Sequence, residues 1–339
     1  MKKKIIRFFI GLVSLVLILI IGIFIAFQVS PRPGVFIISQ AFNGTVKITD
    51  PEKYQQSQKQ VTVIKDRQYT SEHQKNTFDV YYPKQMNQPV PTIIWVHGGG
   101  FVGGDKEGTK EFATNIAADA GVAVVSMNYE LAPDLHYPGQ LTQVDELTHY
   151  LKQHQAEYGM LDMKNVIFGG DSAGAQIALQ YTLIQTNATY AKQIKMKQSF
   201  APNDICGTIS YCGPVDLKQT LKQKSDNNFL KFFVRTVGWA FVGKKEWQHS
   251  PEVAEASLVD HLTKQFPPTY ITDGNAFSFQ EQGIALDQKL KSLGVTSQSL
   301  FYNDTKKEID HEYQFDYGLK EAQNCYQQTV AFVKQFKAA

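Results

Sequence analysis

The residues of this chain that are best suited to covalent chemistry lie in the segment Gly170-Asp171-Ser172-Ala173-Gly174. Residues 165–168 before the segment predict a β-strand, and the alanine-rich residues 173–181 predict a helix. Glycine is needed on both sides of the serine, because side chains there would clash with the adjoining strand and helix. The serine hydroxyl would stand above the sheet at a helix N-terminus, whose dipole favours developing negative charge. Ser172 is therefore the candidate nucleophile.

A second glycine-rich motif, His97-Gly98-Gly99-Gly100, follows the apolar residues 92–96, which predict a buried strand. A loop of this kind can direct backbone N–H groups at a substrate oxygen. Gly99 and Gly100, together with Ala173 directly after the serine, are the candidate donors of an oxyanion hole. The two motifs in this order favour acyl chemistry over a purely structural role for either turn.

His311 is the candidate base for the serine. A serine hydroxyl is too weakly acidic to attack a carbonyl at neutral pH unless a neighbouring group takes its proton. His311 lies after the last predicted strand and before the closing helix, and the flanking Asp310 and Glu312 would raise its pKa. The sequence thus supplies a nucleophile, a base and oxyanion donors.

Alternating strands and helices must position these groups. Strands are predicted at residues 61–64, 78–82, 93–96, 122–127, 166–168, 208–211, 270–272 and 297–302. Helices are predicted at residues 110–120, 141–155, 173–181, 281–293 and 319–336. This alternation predicts an α/β fold whose mostly parallel sheet carries helices on both faces. Ligands bind outside the carboxyl ends of such strands, which is where both motifs fall.

These motifs resemble the hormone-sensitive-lipase-like and bacterial carboxylesterase branch of the α/β-hydrolases. The resemblance covers about residues 77–336 and includes Asn128-Tyr129-Glu130-Leu131-Ala132-Pro133, Tyr137-Pro138, Asp145 and His311-Glu312-Tyr313-Gln314-Phe315. It implies an eight-stranded α/β-hydrolase fold with a helical cap insertion. It also implies a serine carboxylesterase or lipase-like hydrolase that acts on small-molecule esters. The family usually has arginine where Glu130 stands, a peripheral departure.

The acid of the implied catalytic triad is less well defined. The family places an aspartate on the loop after the seventh strand, and alignment of residues 267–274 puts Phe277 at that position. Phenylalanine cannot orient an imidazole or stabilise imidazolium. Asp273, which ends the strand, is the predicted acid, and Asp216 and Glu281 are the alternatives. A triad without an acid is the remaining alternative. Two other functions follow from this departure and from the shared scaffold: a non-catalytic ligand-binding protein, and an acyltransferase or peptidase that uses the same triad.

Residues 218–265 form a long insertion between two predicted strands. Its aromatic helical turns at residues 229–234 and 237–242 predict a cap packed on the core, whose rings also line an acyl or alcohol pocket.

The N-terminal residues predict a membrane anchor. A basic flank at residues 1–7 precedes an uncharged run at residues 8–27, which spans ~30 Å as a helix and can cross a bilayer. The alternative is a cleaved signal peptide, but such peptides have shorter apolar regions and end in a small-residue cleavage site. The sequence therefore predicts a single-pass protein of the cell membrane with a cytoplasmic N-terminus, a tether at residues 28–60 and an extracellular catalytic domain at residues 61–339.

The overall composition is that of a globular protein. The 339 residues are 43% hydrophobic and carry a net charge of +2, and no basic stripe indicates nucleic-acid binding. The three cysteines give no disulfide framework, and neither cysteines nor histidines have metal-ligand spacing. The sequence predicts no metal and no cofactor.

Overall fold

The computed structural model of the chain describes residues 2–42, 44, 47–222, 227–303 and 305–337. Within these residues, eight strands form one sheet in the order β1-β2-β4-β3-β5-β6-β7-β8. They are Val61–Gln68 (β1), Thr77–Pro83 (β2), Val90–Val96 (β3), Ala123–Met127 (β4), Leu161–Asp171 (β5), Ile205–Tyr211 (β6), Thr269–Thr272 (β7) and Ser297–Leu300 (β8). The β1–β2 and β2–β4 pairs are antiparallel and the other pairs are parallel, which confirms the predicted sheet.

Helices cover both faces of the sheet. The α-helices of the described residues are Lys2–Val29 (α1), Arg32–Ser39 (α2), Pro51–Gln60 (α3), Lys110–Ala120 (α4), Gly139–Gln153 (α5), Ala173–Thr186 (α6), Ala188–Ile194 (α7), Leu217–Lys222 (α8), Asn228–Val242 (α9), Pro251–Glu255 (α10), Gln280–Ser292 (α11) and Lys320–Lys334 (α12). Alternate residues of β3 point to opposite faces. Ile94 and Val96 join an apolar cluster with α5 and α6, whereas Ile93 and Trp95 join a second cluster with α4 and α12.

The loops that carry the candidate residues follow the carboxyl ends of neighbouring strands. β3, β5, β6 and β7 are adjacent and parallel, so the loops after them emerge side by side. The insertion between β6 and β7 contains α8, α9 and α10, and α9 carries the aromatic turns. The sheet thus brings distant parts of the chain together beneath a helical cap.

Residues 28–60, predicted as a tether, contain the helices α2 and α3. The Asp50 side chain caps α3 by accepting a hydrogen bond from the Lys53 N–H at 3.0 Å. The Glu111 carboxylate on α4 accepts hydrogen bonds from the backbone N–H groups of Thr49 and Asp50, both at 2.7 Å. The polar residues that indicated a linker therefore fix this segment against the domain.

α1 is the one helix in the described residues that is long and apolar enough to cross a membrane, over Lys3–Val29. Its most apolar stretch is not buried against the rest of the protein. Such a helix suits a membrane span, and a signal sequence near the N-terminus can meet the same criteria of length and hydropathy.

Candidate active site

Ser172 occupies the turn between β5 and α6. Its backbone has φ 48° and ψ −119°, a conformation that L-residues rarely adopt. A β carbon on Gly170 would lie 2.6 Å from the carbonyl oxygen of Val96, and one on Gly174 would overlap the same oxygen. Only glycine fits at these two positions, because β3 passes directly beside the turn. The local fold therefore presents the serine hydroxyl at the end of β5.

His311 reaches the serine from the segment after β8. Its Nε2 atom lies 3.0 Å from Ser172 Oγ. The backbone N–H of His311 donates to the Ala276 carbonyl at 3.1 Å, and its ring meets Phe279 edge-on at a centroid distance of 5.5 Å. Ser172 is buried at 8% exposure, and the His311 side chain is 23% exposed toward the cavity that both residues line. This hydrogen bond is the geometry in which an imidazole can take the serine proton.

Asp273 lies on the other side of the imidazole. Its Oδ1 atom is 3.6 Å from His311 Nδ1, and its side chain is 2% exposed. The carboxylate accepts hydrogen bonds from the backbone N–H groups of Gly274 and Phe279, both at 2.7 Å, which hold it at the end of β7. The contact with the ring is longer than a hydrogen bond, and a small movement of the ring would close it. Among the described residues, this is the carboxylate in ion-pair contact with the imidazole.

The alternative acids have other surroundings. Asp216 directly precedes α8, and its side chain accepts a hydrogen bond from the Gln219 N–H at 3.1 Å. Glu281 lies in the first turn of α11 and lines a separate cavity. Phe277 is 69% exposed and has φ 49°. In the loop after β7, Phe277 stands at the position of the family's aspartate and points outward. Asp273, at the end of β7, supplies the carboxylate beside the imidazole instead.

The surroundings of His311 raise its pKa above the usual 6.5. Burial lowers this pKa, but the nearby carboxyl groups of Asp273, Glu312 and Asp171 together raise it by more. A raised pKa suits a group that takes a proton from one oxygen and later returns it to another.

Asp171 joins the serine turn to the glycine-rich loop. Its carboxylate accepts hydrogen bonds from Trp95 Nε1 at 2.8 Å and from the Gly98 N–H at 2.7 Å. The carbonyl of His97 accepts a hydrogen bond from the Tyr129 hydroxyl at 3.0 Å, and the two rings stack. Burial lowers the pKa of His97 to about 4, so its ring is neutral. These contacts give Asp171 and His97 positioning roles.

Glu312 lies beside Asp171, a pairing that the sequence does not reveal. A β carbon on Gly98 would lie 2.8 Å from Glu312 Oε1 and would overlap Asp171 Oδ2, so the two carboxyl groups converge. Burial, and then the charge of Glu312, raises the pKa of Asp171 to about 8. Burial also raises the pKa of Glu312. Two carboxyl groups so placed resist double ionisation, so the pair retains a proton near neutral pH.

Two of the three predicted oxyanion donors line the same cavity as the serine and histidine. These are Gly100 and Ala173. A β carbon on Gly100 would lie 3.0 Å from Phe233 Cζ, so α9 covers this loop closely. Gly99 has φ 110°, and a β carbon there would overlap the Gly103 carbonyl. Gly99 thus shapes the turn that presents Gly100.

The cavity beside Ser172 has a volume of about 560 Å³ and a mostly apolar lining. The insertion contributes much of it through Phe229, Leu230, Phe233, Val237, Phe241 and Trp247. Phe42 also lines the cavity, and a β carbon on Gly103 would lie 2.8 Å from its ring. Phe42 lies in the segment that the sequence predicts as a tether, so the residue types gave no signal for this role. The cavity suits an apolar group of a ligand.

Cys212, Asp273 and His311 present potential metal ligands within 4.8 Å of one another. Burial raises the pKa of the Cys212 thiol well above its usual value, and a neutral thiol is a poor ligand. The carboxylate already accepts two N–H bonds, and Nε2 of the imidazole faces the serine. These three side chains suit an acid–base pair better than they suit a metal ion. The absence of a metal from the site stays a prediction.

Comparisons with known proteins identify similar sequences. The BD-FAE family model matches residues 78–290, more than half of the chain. A protein of Gibberella moniliformis named esterase is 28% identical over 217 residues, which are 62% of this chain and 64% of that protein. The chain thus spans somewhat less than two thirds of that relative.

Solved structures share the fold. Esterase B from Lactobacillus rhamnosis matches with a TM-score of 0.67 and 20% identity, over 84% of this chain and 90% of that one. A bacterial heroin esterase matches with a TM-score of 0.66 and 17% identity, over 91% and 98% of the two chains. At these identities the likeness shows the fold alone.

Proposed function

Because this chain belongs to the BD-FAE family of α/β-hydrolases, we propose that it is a membrane-anchored serine carboxylesterase that works through an acyl-enzyme. The observation that carries the proposal is the 3.0 Å contact between Ser172 Oγ and His311 Nε2 at the wall of an apolar cavity. A relative named esterase supports the same reaction class. The chain itself supplies nucleophile, base and oxyanion donors, so the reaction needs no cofactor.

In the proposed reaction, Ser172 Oγ attacks the ester carbonyl carbon while His311 Nε2 takes the hydroxyl proton. The N–H groups of Gly99, Gly100 and Ala173 stabilise the oxyanion. As the bond to the alcohol oxygen breaks, the imidazolium donates its proton to that oxygen, and the acyl group stays on the serine. A water molecule, deprotonated by the same imidazole, then attacks the acyl carbon. The bond from that carbon to Ser172 Oγ breaks, the imidazolium returns the proton to Oγ, and the carboxylic acid leaves.

α1 would hold this reaction at a membrane surface. The basic residues before the apolar run favour a cytoplasmic N-terminus, and this orientation places the catalytic domain, residues 61–339, outside the cytoplasm. Because α1 is exposed along its most apolar stretch, a bilayer is the environment that would cover it.

A fluorophosphonate probe tests the proposed nucleophile. The wild-type protein should gain one adduct, and peptide mapping by mass spectrometry should locate it on Ser172, because only an activated serine reacts readily with such a probe. Ser172→Ala should stay unlabelled under the same conditions. An unlabelled wild type, or equal labelling of the two proteins, would refute the proposal.

The rate of ester hydrolysis should follow the ionisation of His311. Only the neutral imidazole accepts the serine proton, so kcat/KM should rise with pH through the pKa of this group. Because that pKa is raised above 6.5, the midpoint of the rise should lie above pH 6.5. Initial rates with p-nitrophenyl butyrate between about pH 5 and 8.5 measure it. Asp273→Asn should move the midpoint to lower pH, because it removes the negative charge nearest to the imidazole; a wild-type midpoint below 6.5 would contradict the assignment.

A further inference from the structure

We propose that the esters cleaved by this protein are membrane-resident amphiphiles, which enter the cavity from the bilayer that anchors α1. This inference rests on the proposed esterase activity and names its substrate class. A long acyl chain would occupy the apolar cavity beside Ser172, and a polar head would face the water.

The chain leaves α1 directly beside the cap. α1 ends at Val29 and α2 begins at Arg32, so α2 lies within about 10 Å of the end of the apolar helix, the reach of three residues. The carbonyl of Gln28, in the last turn of α1, accepts a hydrogen bond from Lys245 Nζ at 2.6 Å. Lys245 follows α9 closely in sequence, so the cap lies next to the membrane surface from which α1 emerges.

α2 connects this surface with the wall of the cavity. A β carbon on Gly34 would lie 2.7 Å from Thr236 Cγ2 and 3.3 Å from Phe232 Cζ, so α2 packs closely on α9. Ile38 on α2 is buried, and Phe42 just beyond the helix lines the cavity. α2 and the residues just after it therefore extend from the membrane surface to the wall of the proposed acyl site.

Exposed apolar side chains follow the same path. After α1, the described residues include six large apolar side chains that are exposed. They are Phe36 and Ile37 on α2, Leu221, Phe229 and Phe277 beside the cavities, and Val63 on β1. Single exposed apolar side chains are ordinary, but five of these six lie on α2 or line one of the two cavities, and such a concentration marks a surface that meets an apolar partner. With α1 in a bilayer, that partner is the lipid surface, in which an amphipathic helix such as α2 would lie.

A second cavity provides room for a polar head. Its volume is about 770 Å³, its lining is more polar than that of the first cavity, and it includes Lys231 and Arg235. Both cavities are lined by Phe277 and Phe279, and the ring of Phe279 contacts His311. The alcohol leaves from the imidazole side, because the imidazolium protonates it. The polar alcohol would thus depart toward the second cavity, and the acyl chain would remain in the first.

The test compares a membrane ester with a soluble ester on the full-length protein in phosphatidylcholine vesicles. A diacylglycerol with a fluorescent acyl chain should be cleaved at least about tenfold faster in the vesicles that hold the protein than in separate protein-free vesicles, because anchoring raises its effective concentration. p-Nitrophenyl butyrate in the same sample measures the proposed esterase activity independently. Ser172→Ala sets the background for both esters.

A double variant tests the role of α2. Phe36→Ser with Ile37→Ser should lower cleavage of the membrane ester by about tenfold, because two apolar contacts with lipid are lost. It should leave cleavage of the soluble ester unchanged, since both side chains are exposed. Val63→Ser is the matched control, because it removes an exposed apolar side chain from β1, and both rates should stay the same.

Cleavage of the soluble ester without cleavage of the membrane ester above background would overturn the inference and leave the proposed esterase intact. An unchanged membrane rate in the double variant, or an equal loss in Val63→Ser, would also overturn it. If neither ester is cleaved, the proposed function fails and the inference fails with it.

Discussion

Alanine in place of Ser172 should lower kcat/KM for p-nitrophenyl butyrate by about 10⁴- to 10⁶-fold. The serine oxygen is the nucleophile within hydrogen-bond reach of His311 Nε2, and alanine leaves that site empty of a nucleophile. His311→Ala should cause a comparable loss, because the hydroxyl then has no base. Since the two groups act as a unit, the double variant should be about as slow as either single variant.

His149→Ala is the matched control for the histidine. Its side chain on α5 is 49% exposed, so the rate should stay within about twofold of wild type. Equal midpoints of thermal unfolding would show that the variants retain the fold. Near-wild-type activity of Ser172→Ala would show that a different group carries the reaction. Losses that multiply in the double variant would show that the two residues act independently and not as a unit.

The sheet and the serine turn were accessible from sequence because each depends on local pattern. All seven residues of β3 are buried, which is what an apolar run in a sheet covered on both faces requires. The turn depends on two glycines, since a β carbon on Gly170 or Gly174 would meet the backbone of β3. A pattern of residue types is enough to predict a turn where steric constraints allow only one amino acid at a position.

The remaining parts of the site depend on contacts between distant segments, which residue types do not reveal. Phe42 looks like a linker residue, yet it packs on the loop that contains Gly103. Glu312 looks like a surface charge beside a histidine, but its carboxyl group is directed toward Asp171. Both placements are fixed by how one loop packs on another. Sequence spacing carries no information about that packing.

The acid shows the same limit. Counting along the family pattern leads to Phe277, because it assumes a fixed loop conformation after β7. Here the carboxylate of Asp273 is bonded to the N–H groups at both ends of that loop, Gly274 and Phe279. The loop therefore folds around a carboxylate at the end of the strand, and Phe277 in its middle points outward.

Asparagine in place of Asp273 should lower kcat by roughly 10⁴-fold with little change in KM. The carboxylate, 3.6 Å from His311 Nδ1, favours the tautomer that carries its proton on Nδ1 and leaves Nε2 free to accept the proton of Ser172. An asparagine amide can donate to Nδ1 and stabilise the opposite tautomer. The variant also loses the negative charge that raises the pKa of His311 against the effect of burial. The midpoint of the pH profile of any residual activity should therefore move to lower pH.

Asp216→Asn and Glu281→Gln make the same chemical change at the two alternative acids. Asparagine caps a helix about as well as aspartate, so Asp216→Asn preserves the start of α8. Glu281 is exposed in the first turn of α11. Neither change alters the charges that touch the imidazole, so each variant should keep kcat within about threefold.

The kinetic signature separates orientation of the imidazole from loosening of the loop. Because Asp273 also accepts two backbone hydrogen bonds, its substitution could disturb the cavity wall, and that disturbance would raise KM and lower the midpoint of thermal unfolding. A loss confined to kcat, with a shifted pH profile, is expected only if the carboxylate acts on His311. A large loss in Asp216→Asn or Glu281→Gln, with Asp273→Asn near wild type, would assign the acid to that residue and would require the loop after β7 to rearrange during the reaction.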